Sequence, residues 1–427
     1  MPAGPPRRQL PPVPFSPVMQ AASPLPAGTR WWILCRVVDN FGDAGVCWRL
    51  ARQLAREHEA AVTLFIDRPE LVDRLAGGTP TEAGVVVAPW PLAPWQGAAP
   101  APDAVVSAFG CEPPDWIRAM LAGAPARPAW IHLEYLSAEP WVDGCHGLAS
   151  VKPADGAVEH FFYPGFTAAT GGLLRERDAL APADRPAGAE RAAALARLCG
   201  RASLPGERVV SLFCYPDSPL EDLLPALAAG DRPTLLLVPE GIAPDAPEAF
   251  AGAGLAPDDP PAHRGSLRIA RIRFLPQDGY DALLRLCDLN FVRGEDSWIR
   301  AHWARRPFVW QPYRQPDGAH HAKLDAFLAR LRAAAVGATG AAAGDEPAAT
   351  GEAKAVTSET KAAIGDAVDA IESLMRAWSG RGDAGAAWQD FERVAAPAES
   401  AFRRWTDSLL GQADLATNLA EWLRGRL

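Results

Sequence analysis

The sequence predicts an α/β protein built from two parallel-sheet units, on three observations. Short apolar runs suited to buried strands alternate with stretches whose apolar residues recur at helical spacing. The alternation weakens between roughly 165 and 205 into Ala-, Pro- and Arg-rich sequence, then restarts. The 427 residues are also enough for two or three domains at about 100–200 residues each.

Residues 1–29 are dense in Pro, lack periodicity and have no continuous apolar stretch of the kind a secretory leader carries, so a disordered tail is expected there. Order is expected from Arg30, where WWILCRVV reads as a buried strand and DNFGDAG as a turn. Cys47, Leu50, Ala51 and Leu54 then fall at i, i+3, i+4 and i+7, one face of a helix, and AAVTLFI (60–66) is a second strand. That is a crossover of the length parallel strands require. DAVVSAF (103–109), a helix near Asp115 to Leu121, and AWIHLEYL (129–136) extend the pattern, giving a first unit over 30–180.

A linker is expected over 181–205. The second unit, 206–396, opens with ERVVSLFCY (207–215), a helix (219–229), PTLLLVP (233–239) and LRIARIRFLP (267–276). A helix (279–287), the strand LNFVR, a helix from Ser297, the strand PFVWQP and a helix around 320–332 follow. Residues 333–358 are low in complexity and read as a flexible insertion. Over 397–427, Phe402, Trp405, Leu409, Leu415, Leu419, Trp422 and Leu423 predict amphipathic helices that pack back on the first unit. No repeat of fixed period occurs, which excludes solenoids and propellers.

Composition excludes several classes. With 48% hydrophobic and 22% charged residues the chain as a whole is not disordered, and no apolar run approaches the roughly 18–20 residues that span a bilayer. Seven Cys, an odd number with no C-x-x-C, argue against a disulfide scaffold or zinc site and fit a reducing, cytoplasmic setting. A formal charge of −9 supplies no general attraction for nucleic acid, and neither nucleic acid nor a membrane is expected as a partner. Lys occurs only at 152, 323, 354 and 361, a compositional bias that removes weight from any argument resting on Arg in place of Lys.

Two strand-to-helix loops carry chemistry-bearing residues. Ligands of open α/β sheets bind at the carboxyl ends of strands, where both loops fall. The first holds Asp39, Asn40, Phe41, Gly42, Asp43 and Gly45. Two carboxylates in one Gly-bearing turn can face a common ligand, although Asp39 and Asn40 also suit a turn and Asp43 a helix cap. The second runs Arg293-Gly294-Glu295-Asp296-Ser297. Gly294 permits close backbone approach, and Ser297 with the first N–H groups of its helix suits a diphosphate, while the acidic pair also complements a helix dipole.

Phe213, Tyr215, Phe274 and Tyr313, near strand ends of the second unit, can clamp a nucleobase, with Gln277 at its edge; single aromatics more often serve a core. The D-x-D, P-loop and G-x-S-x-G motifs are all missing, and the adjacent His320 and His321 point apart on a helix, so no metal site and no cofactor are expected.

The strings CRVVDNFGDAGVCWRLARQLA, WIHLEYLSAEPWVDGCHGL with FFYPGF, FCYPDSPL, and FLPQDGYDALLRLCDLNFVRGEDSWIRAHWARRPFVWQPY closely resemble the bacterial protein-arginine rhamnosyltransferases of elongation factor P, the EarP family. The resemblance covers roughly residues 30–330 in order. It implies a GT-B glycosyltransferase, two Rossmann-like lobes facing a cleft, with TDP-β-L-rhamnose bound by the C-terminal lobe and the acceptor, elongation factor P, by the N-terminal one. The family's two motif aspartates fall on Asp39 and Asp43, its donor-lobe acid on Glu295, and its donor contacts on Phe213, Phe274, Gln277, Arg293, Asp296, Ser297 and Tyr313. Each position holds the expected residue type.

A guanidinium is a poor nucleophile, because its pKa exceeds about 12 and its lone pairs are delocalised. A carboxylate can hold its charge and take its proton as the C–N bond forms. Asp43 is the expected general base, Asp39 an orienting group, and Arg293 with the helix start at Ser297 the stabiliser of the leaving diphosphate without a metal. The role of Glu295 stays open. One displacement inverts the anomeric centre. The alternatives are a GT-B enzyme with a small-molecule or lipid acceptor, and a non-catalytic protein binding a sugar nucleotide or a translation factor.

Overall fold

A computed structural model describes residues 26, 28–94, 101–123, 127–180, 186–200, 204, 206–243, 245–337 and 358–427. The expected tail, apart from its last few residues, and positions 338–357 of the expected insertion lie outside the described residues. In chain order the first half runs β1 (Arg30–Cys35), α1 (Phe41–His58), β2 (Ala61–Ile66), α2 (Pro69–Ala76), β3 (Val85–Pro89), β4 (Ala104–Ala108), α3 (Asp115–Ala122), β5 (Ala129–Leu133), α4 (Val142–Cys145), β6 (Ala149–Val151) and β7 (Val158–Phe162). There follow α5 (Gly188–Cys199), β8 (Arg208–Leu212), α6 (Leu220–Ala229), β9 (Thr234–Pro239), α7 (Ala246–Ala251), β10 (Ala262–Arg264), β11 (Leu267–Ile272), α8 (Gln277–Leu286), β12 (Leu289–Arg293), α9 (Asp296–Trp303), β13 (Phe308–Gln311), α10 (Ala319–Val336), α11 (Ser358–Trp378), α12 (Ala384–Leu409) and α13 (Leu415–Arg424).

The chain divides into two compact units, the first containing residues up to 73, 78–176 and 412–427, the second 74–77 and 177–411. The first holds a seven-stranded sheet in the order β3-β2-β1-β4-β5-β7-β6, parallel except for β6 on β7. β1 lies between β2 and β4 and is buried at every position after Arg30, as a central parallel strand covered on both faces requires. The helical face predicted for α1 is the one buried, with Cys47, Leu50, Ala51 and Leu54 all solvent-inaccessible. Glu59, in the left-handed region at φ 54°, ends that helix by returning its N–H to the Leu54 carbonyl. Trp32, Leu34, Phe65, Val105, Ile117 and Trp130 pack together in the core.

The C-terminal helix α13 belongs to this first unit. Its N-cap Asp414 accepts from the Thr417 amide at 3.0 Å. The buried side chain of Gln53, on α1, donates to Asp414 at 2.9 Å and to the Arg175 carbonyl at 2.8 Å. A polar tether therefore docks the chain terminus on α1.

The second unit holds a six-stranded sheet ordered β10-β11-β9-β8-β12-β13, parallel except for β10 on β11. Three expectations are corrected here. The 181–205 stretch is not merely a linker, because α5 lies within it and inserts Leu195 and Cys199 into the core beside Val209, Leu235 and Ile272. The expected boundary at 396/397 falls inside α12, and only residues from 412 join the first unit. α12 bends instead, with a non-helical Val394 ahead of Pro397, whose ring nitrogen cannot return a hydrogen bond to residue 393. Residues 333–336, read as the start of the insertion, are helical in α10, with Ala335 fully buried.

Candidate active site

In the first sheet the strand order reverses between β1 and β4, and in the second between β8 and β12. Ligands of open parallel sheets bind outside the carboxyl ends of strands at such switch points. The 36–43 loop leaves β1 at the first, and the 293–297 loop leaves β12 at the second. Both loops singled out in the sequence therefore stand where the topology puts a binding crevice.

The first loop is built around Asp43, in the opening turn of α1 and only 2% exposed. Its Oδ2 accepts the amides of Val38 at 2.7 Å and Asp39 at 2.9 Å. Asp43 is thus no ordinary helix cap. It reaches back beyond the helix and folds the loop over its own carboxylate. Asn40, the residue before α1, makes no capping hydrogen bond with its side chain and sits at φ 43°, ψ −114°, a backbone conformation that L residues rarely adopt. Gly42 returns its N–H to the Asp39 carbonyl at 2.8 Å. A Cβ at Gly42 would lie 3.0 Å from Asp39 Oδ2, so the missing side chain admits the Asp39 carboxylate. Asp39 and Phe41 are half-buried and Gly45 is buried.

Burial pushes the Asp43 carboxyl above its ordinary value, and Asp67 adds to the rise, while the amides of Asp39 and Val38 and the Tyr135 hydroxyl pull it part of the way back. The outcome is a carboxylate of raised basicity with fixed orientation. Its roughly four lone-pair positions are partly taken by two amides and one phenol, leaving room to accept a proton. Tyr135, two residues beyond β5, was not foreseen as part of the site; its position directly after a buried strand was the available signal.

The second loop is held from behind. Gly294 is at φ 58°, and its carbonyl accepts the indole N–H of Trp310 at 2.9 Å. Trp310 in turn stacks on Trp298 with ring centroids 3.6 Å apart. Ser297 is buried, its hydroxyl donating to the Arg293 carbonyl and accepting the Arg293 amide at 3.0 Å. The hydroxyl expected to meet a diphosphate is thus engaged in shaping the loop. The first N–H groups of a helix have no acceptor within it, so the start of α9 is left as the part of this loop that suits an anion. Glu295 immediately precedes α9 and makes no side-chain cap.

The Arg293 guanidinium lies 4.7 Å from the Phe213 ring centroid and 4.4 Å from that of Tyr215. Tyr313, half-exposed, meets Tyr215 edge-on at 5.9 Å. These three aromatics and the cation form one cluster at the ends of β8, β12 and β13. Gln311, at the end of β13 and overlooked in the sequence, accepts from the Ser218 hydroxyl at 2.7 Å and so fixes the turn that carries Tyr215. Gln277, the first residue of α8 and buried, spends its amide on Asp296 at 3.1 Å. Phe274, after β11, has the Arg74 guanidinium 4.4 Å from its ring centroid, and its amide donates to Glu240 at 3.0 Å. Among the described residues no group of three or more His, Cys, Asp and Glu side chains is arranged to hold a metal ion.

Residues 31–350 match the family described as elongation factor P (EF-P) rhamnosyltransferase EarP. A protein-arginine rhamnosyltransferase of Pseudomonas putida is 40% identical over 405 residues, covering 93% of this chain and 99% of the relative. A protein of the same description from Pseudomonas aeruginosa is 39% identical over 407 residues, covering 92% and 99%. A solved structure described as the structural basis for EarP-mediated arginine glycosylation of translation elongation factor EF-P is similar with a TM-score of 0.59 and 31% identity, over 93% of this chain and 99% of the other. The α/β class with two parallel-rich sheets, expected of a GT-B glycosyltransferase, is the one found. With similarity running through both sheets and both switch-point loops, the chain belongs to the EarP family of protein-arginine rhamnosyltransferases.

Proposed function

We propose that the protein transfers L-rhamnose from TDP-β-L-rhamnose to one arginine side chain of elongation factor P, inverting the anomeric carbon. A guanidinium nitrogen attacks C1 of the sugar, the bond from C1 to the diphosphate oxygen breaks, and the proton lost by nitrogen passes to Asp43. The single displacement turns a β-linked donor into an α-linked product. Asp39 orients the acceptor guanidinium. Phe213, Tyr215 and Tyr313 take the nucleobase and its sugar, with Phe274, Gln277 and Asp296 completing the donor contacts and Glu295 setting local donor geometry. Arg293 and the first N–H groups of α9 carry the charge that develops on TDP, with no role for a metal or cofactor. An acceptor of the translation machinery puts the reaction in the cytoplasm, in keeping with described residues that include no helix long and apolar enough to cross a membrane.

The observation that carries this reading is Asp43: a buried carboxylate of raised basicity, aimed by backbone amides at a switch point, is the group a sluggish guanidinium needs. Intact-protein mass spectrometry of elongation factor P incubated with the enzyme and TDP-β-L-rhamnose tests it. One deoxyhexose on a single arginine is expected, at an undiminished rate in excess chelator. An unchanged mass, where a relative modifies the same factor, overturns the reaction; a rate restored only by Mg²⁺ or Mn²⁺ overturns the metal-free leaving group.

A further inference from the structure

Contacts run from the Asp43 carboxylate to Tyr135 and from Tyr135 to Phe109, residues that follow three neighbouring strands. Asp43 follows β1, Phe109 follows β4 and Tyr135 follows β5, and β4 lies between the other two strands. The Val38 and Asp39 amides belong to the same loop as Asp43, so they shape that loop without anchoring it to its neighbours. The Tyr135 hydroxyl donates to the carboxylate from two strands away. Its ring is stacked on Phe109 with centroids 4.6 Å apart and planes within 16°.

Phe109 itself holds a left-handed backbone at φ 57°, unusual for a bulky residue, and is pinned there by its N–H on the Leu133 carbonyl at 2.8 Å. A non-glycine residue kept in that region next to a functional group marks a conformation the surrounding structure enforces.

We propose that Tyr135 is a positioning residue for Asp43, its phenol tying the carboxylate to the sheet at the switch point and the Phe109 ring aiming that phenol. The proposal rests on the reading of Asp43 as the base that takes the guanidinium proton. Other titratable groups also face Asp43: Asp39 in its own loop, Asp67 at the end of β2, bound to the Val37 amide at 3.0 Å, and the Cys47 thiol of α1. Tyr135, by contrast, gives the carboxylate a hydroxyl donor that holds its proton affinity down, so removing that hydroxyl moves Asp43 in one direction only. A carboxylate that loses a donor binds its proton more tightly.

The test uses the full-length enzyme with ¹³C-labelled aspartate. The Asp43 signal is identified by its loss in Asp43→Asn, and its titration is followed without substrates. Tyr135→Phe keeps the stacked ring and removes the hydroxyl. The Asp43 carboxyl is then expected to titrate about one pH unit higher, tenfold in its dissociation constant. The acid limb of kcat/KM for the protein acceptor should move upward with it, while TDP affinity holds.

Phe109→Leu keeps the hydroxyl and removes the stack, and should shift the titration in the same direction by less. An unmoved Asp43 titration in Tyr135→Phe overturns the proposal, as does a moved titration with an unmoved acid limb in an enzyme that needs Asp43. If Asp43→Asn keeps full turnover while Tyr135→Phe still moves the titration, the base reading fails and the Tyr135 contact stands.

Discussion

Asp43 turns back from the first turn of its helix to take the amide of Asp39 at 2.9 Å, so one of the loop's two carboxylates holds the backbone that presents the other. The two substitutions to Asn therefore separate. Asp43→Asn keeps a carbonyl oxygen able to accept the Val38 and Asp39 amides and loses the proton acceptor. Its single-turnover rate should fall by roughly 10²–10⁴ with the melting temperature nearly unchanged and donor affinity kept. Near-normal turnover in Asp43→Asn beside a collapse in Asp39→Asn would exchange the two roles.

Gly42→Ala tests the placement of Asp39 by steric means. Ala is the better helix former, so thermal stability should hold, but its Cβ would stand 3.0 Å from Asp39 Oδ2 and displace that carboxylate. A rate loss of about tenfold to a hundredfold is expected from a misplaced reacting partner. Full activity in a well-folded Gly42→Ala would show that the position of Asp39 is immaterial.

On the donor side, Phe213 both offers a ring face and flanks the Arg293 guanidinium at 4.7 Å. Phe213→Ala should weaken TDP binding by about 1–3 kcal/mol if a base stacks there. Tyr215→Phe preserves the face that meets Arg293 and should bind TDP normally. Calorimetric titration reads both, and equal affinity in Phe213→Ala and the parent would return this ring to a purely structural role.

His302 predicts a pH dependence of stability unrelated to catalysis. It is buried on α9 and accepts the Trp405 indole N–H at 3.0 Å, and burial lowers its pKa to about 3. The unfolded chain binds this proton near pH 6.5 while the folded one refuses it until about pH 3, so stability is lost as pH falls through that window. The contribution approaches about 1.4 kcal/mol per pH unit. Urea unfolding at pH 7 and pH 5 should show that slope in the parent and a shallower one in His302→Leu; equal slopes would mean that His302 titrates alike in both states.

Asp414 caps α13 and receives Gln53 from α1, so Asp414→Ala removes two of the polar contacts that hold the C-terminal helix. Losing the cap costs about 0.5–2 kcal/mol. Hydrogen exchange should show the 412–427 segment opening more readily, with the amides of β8 and β9 unaffected. Unchanged protection of that segment would leave its docking to apolar contacts and to other hydrogen bonds, such as that of the Leu415 amide with the Leu173 carbonyl.

Much of the fold is legible in the sequence, because a buried parallel strand or an amphipathic helix is a local pattern. PTLLLVP, the Cys47–Leu54 face and the first five residues of WWILCRVV could be read within a dozen residues and stand where expected, while Arg36 to Val38 leave the strand for the loop. α5 was missed because Ala and Arg dilute its apolar face, leaving chiefly Leu195 and Cys199 to enter the core. The division after residue 411 has no local mark at all, since the helices on either side of it are equally amphipathic.

The site divides in the same way. The order of residues along the chain already puts carboxylates, an arginine and aromatics into the two strand-end loops, on hand for a sugar nucleotide and a guanidinium. What each of them touches depends on the closed fold. Tyr135 reaches Asp43 across 92 residues of chain, Gln277 is drawn to Asp296, and Ser297 turns to the Arg293 backbone. Periodicity is set by neighbours three or four residues apart. Contacts such as that of Tyr135 with Asp43 exist only after long loops close and strands pair, and no local pattern in the chain records that closure.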